Sequence, residues 1–293
     1  MKPVTETMQD TYEWGKNRLK QAGIQEYVLD AWYLLEYVTG IDRTRYYAEP
    51  KQEIEREQKL RYACLIEKRQ KRVPLQHLTG EQEFMGLKFK VNEHVLIPRQ
   101  DTETLVETAL EFLQKEEVPE KRGSIHLLDM CTGSGCILLS ILHWTKEKSR
   151  IKGIGADISK EALAVAKENA KALMLRAEFT EGNLFENIKG KFGMIVSNPP
   201  YIRTSEIGNL EPEVRNYDPI QALDGKCDGL HFYREIIRIS GTYLEKRGIL
   251  LLEIGCDQGA EVKAMMYKNG YSNVTVKKDL AGLDRVVWGV YDR

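Results

Sequence analysis

The run Ile125-His126-Leu127-Leu128-Asp129-Met130-Cys131-Thr132-Gly133-Ser134-Gly135-Cys136-Ile137-Leu138 decides the fold. It begins as a short apolar stretch ending in an acid, turns through glycines, and enters an apolar segment around Ile137 to Leu142. The same grammar returns in Ile151 to Asp157, followed by a helical pattern from Ser159 to Leu173. Phe192 to Ser197 and Ile249 to Ile254 are further apolar strands. Apolar strands alternating with helices predict an α/β fold, a mostly parallel sheet covered on both faces. Asn273 to Val276 and Arg285 to Tyr291 follow each other with no long helix between, which predicts an antiparallel finish.

Upstream of Gly123 the period differs. Val28, Ala31, Trp32, Leu35 and Val38 recur at helical spacing with Gly40 as a stop. A second helical run is expected from Pro50, a suitable first-turn residue, ending before Pro74. Leu87, Phe89 and Val91 then alternate with Lys88, Lys90 and Asn92 after Met85-Gly86, the pattern of a β-hairpin. From Thr102 a helix carries Leu105, Val106, Ala109, Leu110 and Leu113 on one face. The expected organisation is a helical bundle over 1–75, a β-hairpin connector over 76–97 and an α/β domain over 98–293.

Composition excludes several classes. The chain has 293 residues, 42% hydrophobic and 30% charged, with 43 Lys+Arg against 44 Asp+Glu. That argues against disorder, collagen and coiled coil. The net charge of −1 offers no global attraction to nucleic acid or an anionic membrane. Met130 to Thr145, a long uncharged run, is too short and glycine-rich to span a bilayer. MKPVTETMQDTYEWG has no apolar leader core. Cys64, Cys131, Cys136, Cys227 and Cys256 form no CxxC pair, so a reducing cytoplasm without disulfides or structural zinc is expected. His77, His94, His126, His143 and His231 show no paired spacing, and no metal site is expected.

Two motifs carry chemistry. In the first, Gly133-Ser134-Gly135 lets the backbone approach a ligand at a helix N-terminus. The third glycine of the dinucleotide fingerprint and the lysine of a phosphate loop are both missing. Asp157, closing the next strand, suits a ribose diol. Together these favour a nucleoside ligand without a pyrophosphate, such as S-adenosyl-L-methionine. In the second, Asn198-Pro199-Pro200-Tyr201 follows an apolar strand directly. The prolines stiffen the backbone and remove N–H donors, while the asparagine side chain adds an acceptor. A rigid pair of acceptors, Asn198 Oδ1 and the Pro199 carbonyl, suits an –NH2 group, and the Tyr201 ring can pack on a planar amide or base.

At these residues the chain resembles a class I, Rossmann-like methyltransferase that N-methylates amino groups. Leu96-Ile97-Pro98-Arg99, Asp101-Thr102-Glu103 and Leu105-Val106-Glu107 are similar to the IPRPETE-LVE signature of the HemK/PrmC family of release factor glutamine N5-methyltransferases. Ala222-Leu223-Asp224-Gly225, Leu252-Glu253-Ile254-Gly255 and Asp279-Leu280-Ala281-Gly282 fit it too. The chain departs from the pattern at Gln100, at Asp101 and at Cys131, where glycine is common. The resemblance implies a seven-stranded sheet, and cofactor contacts from Cys131, Thr132, Gly133, Ser134, Gly135, Asp157, Asn183, Leu184 and Asn198. It implies a grip on the target amide by Asn198, Pro199, Pro200 and Tyr201, and class 1 peptide chain release factors as the protein partner of a cytoplasmic monomer, with no stable nucleic acid partner and no membrane.

Two rivals share the motifs. A nucleic-acid base methyltransferase could use the same grip and would need a basic track; a non-catalytic module would bind cofactor without turnover. Lys68-Arg69-Gln70-Lys71-Arg72 is the local basic cluster, read either as a solvated helix end or as a surface for an acidic partner or ribosomal RNA.

Overall fold

Residues 7–115, 117–120, 123–146 and 150–292 are described by a computed structural model. The first six residues of the expected bundle and leader stretch, and Arg293, lie outside them.

The chain forms two compact units, one holding residues up to Glu81 together with Glu211–Tyr217, the other Gln82–Leu210 and Asp218 onward. The first unit is helical: α1 Met8–Gln21, α2 Tyr27–Thr39, α3 Arg43–Ala48, α4 Arg56–Gln70 and α5 Leu75–Thr79. Its core includes Leu19, Trp32, Leu35, Tyr62 and Ile66. Gly40 ends α2 in the left-handed conformation at φ 69°. The second helical run starts later than expected from Pro50. Residues 50–53 are instead spent on the start of α1, where Met8 N donates to Gln52 O at 2.8 Å and Gln9 N to Pro50 O at 3.0 Å. Those bonds satisfy N–H groups a helix start leaves orphaned.

The basic cluster closes this unit from within. Arg69, buried, donates Nε to Asp30 Oδ2 at 2.6 Å and Nη1 to Glu213 Oε1 at 3.0 Å. Arg72 Nη1 reaches the same Glu213 oxygen at 3.2 Å, and Tyr217 OH donates to the Lys71 carbonyl at 3.0 Å. Neither reading of the cluster survives for Arg69 and Arg72, which are internal braces to a segment from far downstream in sequence. Burial raises the Asp30 carboxyl pKa and Arg69 lowers it.

The second unit opens with a hairpin, β1 Glu81–Phe84 and β2 Leu87–Lys90, whose turn residues Met85 and Gly86 have φ of 52° and 71°, values that match strand twist. Then come α6 Glu103–Gln114, β3 Ile125–Met130, α7 Cys136–Trp144, β4 Ile151–Asp157, α8 Lys160–Ala172, β5 Glu178–Glu181 and β6 Phe192–Ser197. The short α9 Pro212–Tyr217 belongs to the helical unit; α10 Ile220–Leu223, α11 His231–Ser240, β7 Leu244–Glu253, α12 Gly259–Lys268, β8 Tyr271–Lys278 and β9 Asp284–Tyr291 complete this one. Among the described residues the large sheet has seven strands in the order β5-β4-β3-β6-β7-β9-β8. The pairs from β5 to β7 are parallel and both pairs of β9 are antiparallel, the expected finish. Helix and sheet approach closely: a Cβ on Gly153 of β4 would lie 2.7 Å from Leu138 of α7. β6 is buried along its whole length, as a parallel strand covered on both faces must be. No helix among the described residues is long and apolar enough to cross a membrane.

Arg69→Met should destabilise the helical unit by about 3–5 kcal/mol, because Asp30 is left as an uncompensated buried charge. Urea denaturation measures this; a midpoint equal to that of the unmodified protein would contradict it.

Candidate active site

Parallel register sets the site. Met130, the last residue of β3, pairs with Ala156 of β4 on one side and Ser197 of β6 on the other. Ser197 Oγ also donates to the Met130 carbonyl at 2.7 Å. The chain leaves β3 towards β4 and β5, and returns to β6 on the opposite side. The strand order therefore reverses between β3 and β6, and crevices at such a point receive ligands in open α/β sheets. The glycine loop, Asp157 and Asn198 all follow directly from these strand ends.

Within the loop, Gly133 takes φ 53°, and a Cβ there would meet nothing within 4 Å. Its glycine serves conformation and leaves an open face. Gly135, at φ 79°, caps α7. Cys131 is left-handed at φ 61° without being glycine, a conformation that costs of order 1 kcal/mol and is typical of functional loops. Burial pushes its thiol pKa up. Thr132 and Ser134 are buried. Asn169 of α8 supports the loop, Nδ2 donating to Ser134 O at 2.9 Å and Oδ1 accepting from Lys90 N at 2.7 Å.

Two acids frame the loop. Asp129 is fully buried; its Oδ2 accepts from Thr132 Oγ1 at 2.6 Å and Leu138 N at 3.3 Å, while Oδ1 has no partner. Burial lifts its pKa to about 7 against the pull of those donors. Asp157 accepts from Gly133 N at 2.9 Å and Ser159 N at 3.0 Å, one on each oxygen. It was expected to face a sugar; its first task is to shape the glycine loop, and each oxygen keeps a lone pair for a second donor. Burial raises its pKa and the two N–H groups lower it. Gly182 N donates to the Asp157 carbonyl at 3.0 Å, which brings the following Asn183-Leu184 against the same strand end. Asn183 is exposed; Leu184, at φ 50°, is half-buried and packs on the same core cluster as Cys131 and Tyr201.

In the Asn-Pro-Pro-Tyr segment, Pro199 and Pro200 are buried while Asn198 and Tyr201 are half-buried. Asn198 Nδ2 donates to Thr102 Oγ1 at 3.4 Å, and no hydrogen bond to Asn198 Oδ1 or the Pro199 carbonyl occurs among the described residues. Tyr201 is pinned from behind. Its carbonyl accepts from Gln258 Nε2 at 3.0 Å and its hydroxyl donates to Glu253 Oε1 at 3.4 Å. Next to it, Ile202 N donates to Leu223 O at 3.0 Å and Gly225 N to Ile202 O at 2.8 Å. A Cβ on Gly225 would stand 2.7 Å from the Tyr201 backbone, so only glycine fits.

Relatives of this chain share nearly its whole length. A protein named release factor glutamine methyltransferase from Agrobacterium fabrum is 41% identical over 93% of both chains. One of the same name from Geobacter sulfurreducens is 37% identical over 98% of both. The chain belongs to the release factor glutamine methyltransferase family. Its residues 10–80 match the PrmC N-terminal domain and residues 104–210 the methyltransferase small domain. Fold similarity extends to a methyltransferase crystal structure from Pyrococcus furiosus, at 17% identity and TM-score 0.50, covering 71% of this chain and 90% of that one. A class I methyltransferase fold is thereby established for this family member.

Sequence reasoning passed over Glu253, Thr102 and Arg285 as individual site residues, although Glu253 and Thr102 stand in quoted motifs and Arg285 opens an expected strand. Glu253 is buried; burial lifts its pKa to about 7 while the Thr102 hydroxyl and Arg285 guanidinium pull it down. An acid inside an otherwise apolar strand was the available signal.

Asp129 and Glu253 bind protons more tightly folded than unfolded, where their pKa values are 3.8 and 4.5. Their contribution to stability is complete below about pH 4 and is lost as pH rises through 7. Asp129→Asn should therefore gain on the parent protein between pH 5 and 8, by at most about 1.4 kcal/mol per pH unit. Thermal midpoints at the two pH values test this; a constant difference would refute it.

Proposed function

We propose that this chain transfers a methyl group from S-adenosyl-L-methionine to the side-chain amide nitrogen (N5) of the glutamine in the GGQ motif of class 1 peptide chain release factors, and so modulates translation termination. The observation that carries this reading is the adjacency of the glycine loop and the Asn-Pro-Pro-Tyr segment at neighbouring parallel strand ends, in a chain whose relatives bear that name over nearly its full length.

The residues at the β3 and β4 ends fit the cofactor. Gly133 leaves an open face, α7 begins at the loop, and Asp129 Oδ1 is a buried acceptor without a partner. In this reading Cys131, Thr132, Gly133, Ser134 and Gly135 line the cofactor, Asp157 accepts from its ribose hydroxyls, and Asn183 and Leu184 flank its base. When bound, S-adenosylmethionine supplies an electrophilic methyl group on a sulfonium sulfur.

The protein's part is orientation. An amide nitrogen is a poor nucleophile because resonance holds its lone pair, with a rotation barrier of about 18–20 kcal/mol. Asn198 Oδ1 and the Pro199 carbonyl accept both N–H hydrogens of the glutamine amide, which raises electron density on nitrogen and fixes its plane. Pro200 keeps the carbonyl pair rigid, and the Tyr201 ring packs against the amide. The nitrogen needs no general base before transfer: one N–H becomes acidic only as the N–C bond forms and the methyl–sulfur bond breaks, and that proton then leaves to solvent.

The helical unit is read as the recognition domain for the factor. Exposed Tyr33, Tyr37 and Tyr47 support a protein surface, because aromatic residues are enriched at such interfaces. Internal use of Arg69 and Arg72 removes the strongest local argument for nucleic acid. The enzyme is read as a cytoplasmic monomer without a stable nucleic acid partner.

Labelled S-adenosylmethionine offered with a purified release factor, its Gln→Ala variant, and mixed DNA and RNA tests the reading. Label on the intact factor alone is expected; label on nucleic acid alone would overturn it. Asn198→Ala should lower kcat by about 100-fold or more while cofactor affinity changes little; an unchanged kcat would remove Asn198 from the chemistry. Asp157→Ala should weaken cofactor binding by about 10–100-fold, the worth of charge-assisted hydrogen bonds, as calorimetry would record.

A further inference from the structure

We propose that the turn between β8 and β9, through Leu280 and Leu283, is a docking contact for the protein substrate, receiving an apolar side chain of the release factor about three to five residues from the methylated glutamine. The inference rests on the proposed function and names the part of this unit that helps select the factor. A Gly-Gly-Gln segment carries one side chain, that of the target glutamine, so a chain bearing it is told from others by residues further along.

Sheet register puts the turn at the edge that carries the site. Ser197 of β6 pairs with Leu252 of β7, Leu252 with Val287 of β9, and Val287 with Val276 of β8. β9 is antiparallel to both its neighbours, so β8 runs the same way as β6 and β7. Asn198 to Tyr201 and Asp279 to Leu283 therefore leave that row in the same direction. β9 and β8 are the second and third strands from β6, which puts them about 10 and 14 Å away at the usual strand spacing. An extended peptide covers those distances in about three to five residues.

The turn is apolar and fixed at once. A single exposed leucine needs no explanation. Here Leu280 is 98% exposed, Leu283 is 47% exposed, and Ala281 and Gly282 between them are exposed as well. A tip that only joined two strands is best served by asparagine, aspartate or serine. This one is closed by its backbone and by the acid at its base. Asp279 N donates to Leu283 O at 2.9 Å, Gly282 N to Asp279 O at 3.0 Å, and Leu283 N to Asp279 Oδ1 at 3.0 Å. Lys278 Nζ adds a bond to Gly282 O at 3.0 Å. Held in advance, the tip gives up little conformational freedom on binding.

Asp279 also ties the tip to the amide grip. Its Oδ2 accepts from Arg285 Nε at 3.1 Å and Nη2 at 3.0 Å. The same Nη2 lies 3.3 Å from Asp101 Oδ2, and Arg285 Nη1 donates to the Ile254 carbonyl at 3.4 Å. Asp101 directly precedes Thr102, whose hydroxyl accepts from Asn198. Ile254 directly follows Glu253, whose Oε1 accepts from the Tyr201 hydroxyl. One buried guanidinium thus fixes the tip against the neighbours of both Asn198 and Tyr201, all within the second unit.

Steady-state kinetics on a release factor provide the test, with Met174→Ser as the control. Met174 is 91% exposed but lies between α8 and β5, at the amino ends of the strands. Leu280→Asp should raise the KM for the factor by about 10-fold or more, the worth of a leucine side chain taken out of water. Its kcat at saturating factor, its Kd for S-adenosylmethionine and its thermal midpoint should stay those of the unmodified protein. Leu280→Met and Met174→Ser should both keep the unmodified KM. A photoreactive p-benzoylphenylalanine in place of Leu280 should cross-link to factor residues about three to five from the glutamine. An unmodified KM in Leu280→Asp would overturn the inference, as would an equal rise in Met174→Ser or a cross-link confined to another part of the factor. So would a Leu280→Asp variant whose one change, by light scattering, is loss of self-association, since the turn would then meet a second copy of the chain. An unmodified protein that leaves the factor unlabelled would sink the proposed function and this inference with it.

Discussion

Everything at the candidate active site hangs on the register of β3 between β4 and β6. Met130 pairs with Ala156 on one side and Ser197 on the other, so the three strands end level. A shift of one residue would turn every side chain on a strand to the opposite face of the sheet. The glycine loop, Asp157 and Asn198 would then no longer share an edge. The bond from Ser197 Oγ to the Met130 carbonyl fastens this register at the edge itself, where strand ends otherwise fray.

Around that edge the protein accepts local costs. Cys131 and Leu184 hold left-handed backbone without being glycine, and Asp129 and Glu253 are acids buried with an oxygen each left unpartnered. Such groups are expensive in a core. They cluster where the backbone must turn sharply and where polar atoms must wait for a ligand or hold a neighbour. The apolar packing of α7 and α8 on the sheet, including Leu138, Leu142, Leu163 and Ala166, offsets them.

The helical unit follows a different logic. Its core is apolar and local in sequence, yet it is closed by Glu213, a residue more than 140 positions from Arg69 and Arg72. One carboxylate oxygen bridging two guanidinium groups, with Asp30 opposite, satisfies charges that a solvated helix end would leave to water. In sequence, the short segment that carries Glu213 lies between the Asn-Pro-Pro-Tyr motif and Gly225, the glycine that backs Tyr201, although it belongs to the helical unit.

By itself the sequence determined the α/β class, the strands that carry the motifs, the antiparallel finish, the hairpin turn and the residue types at the loop and the Asn-Pro-Pro-Tyr segment. Hydrophobic period, glycine and proline are local signals, and those features are local. It did not determine where α4 begins, because Pro50 is engaged by the start of α1. Nor did it reveal that Arg69 and Arg72 are internal or that Asp157 braces the loop. Each of these depends on which distant residue arrives next to a polar group, and only the tertiary structure decides that, because a buried charge or hydrogen-bonding group takes its role from its partner rather than from its neighbours in the chain.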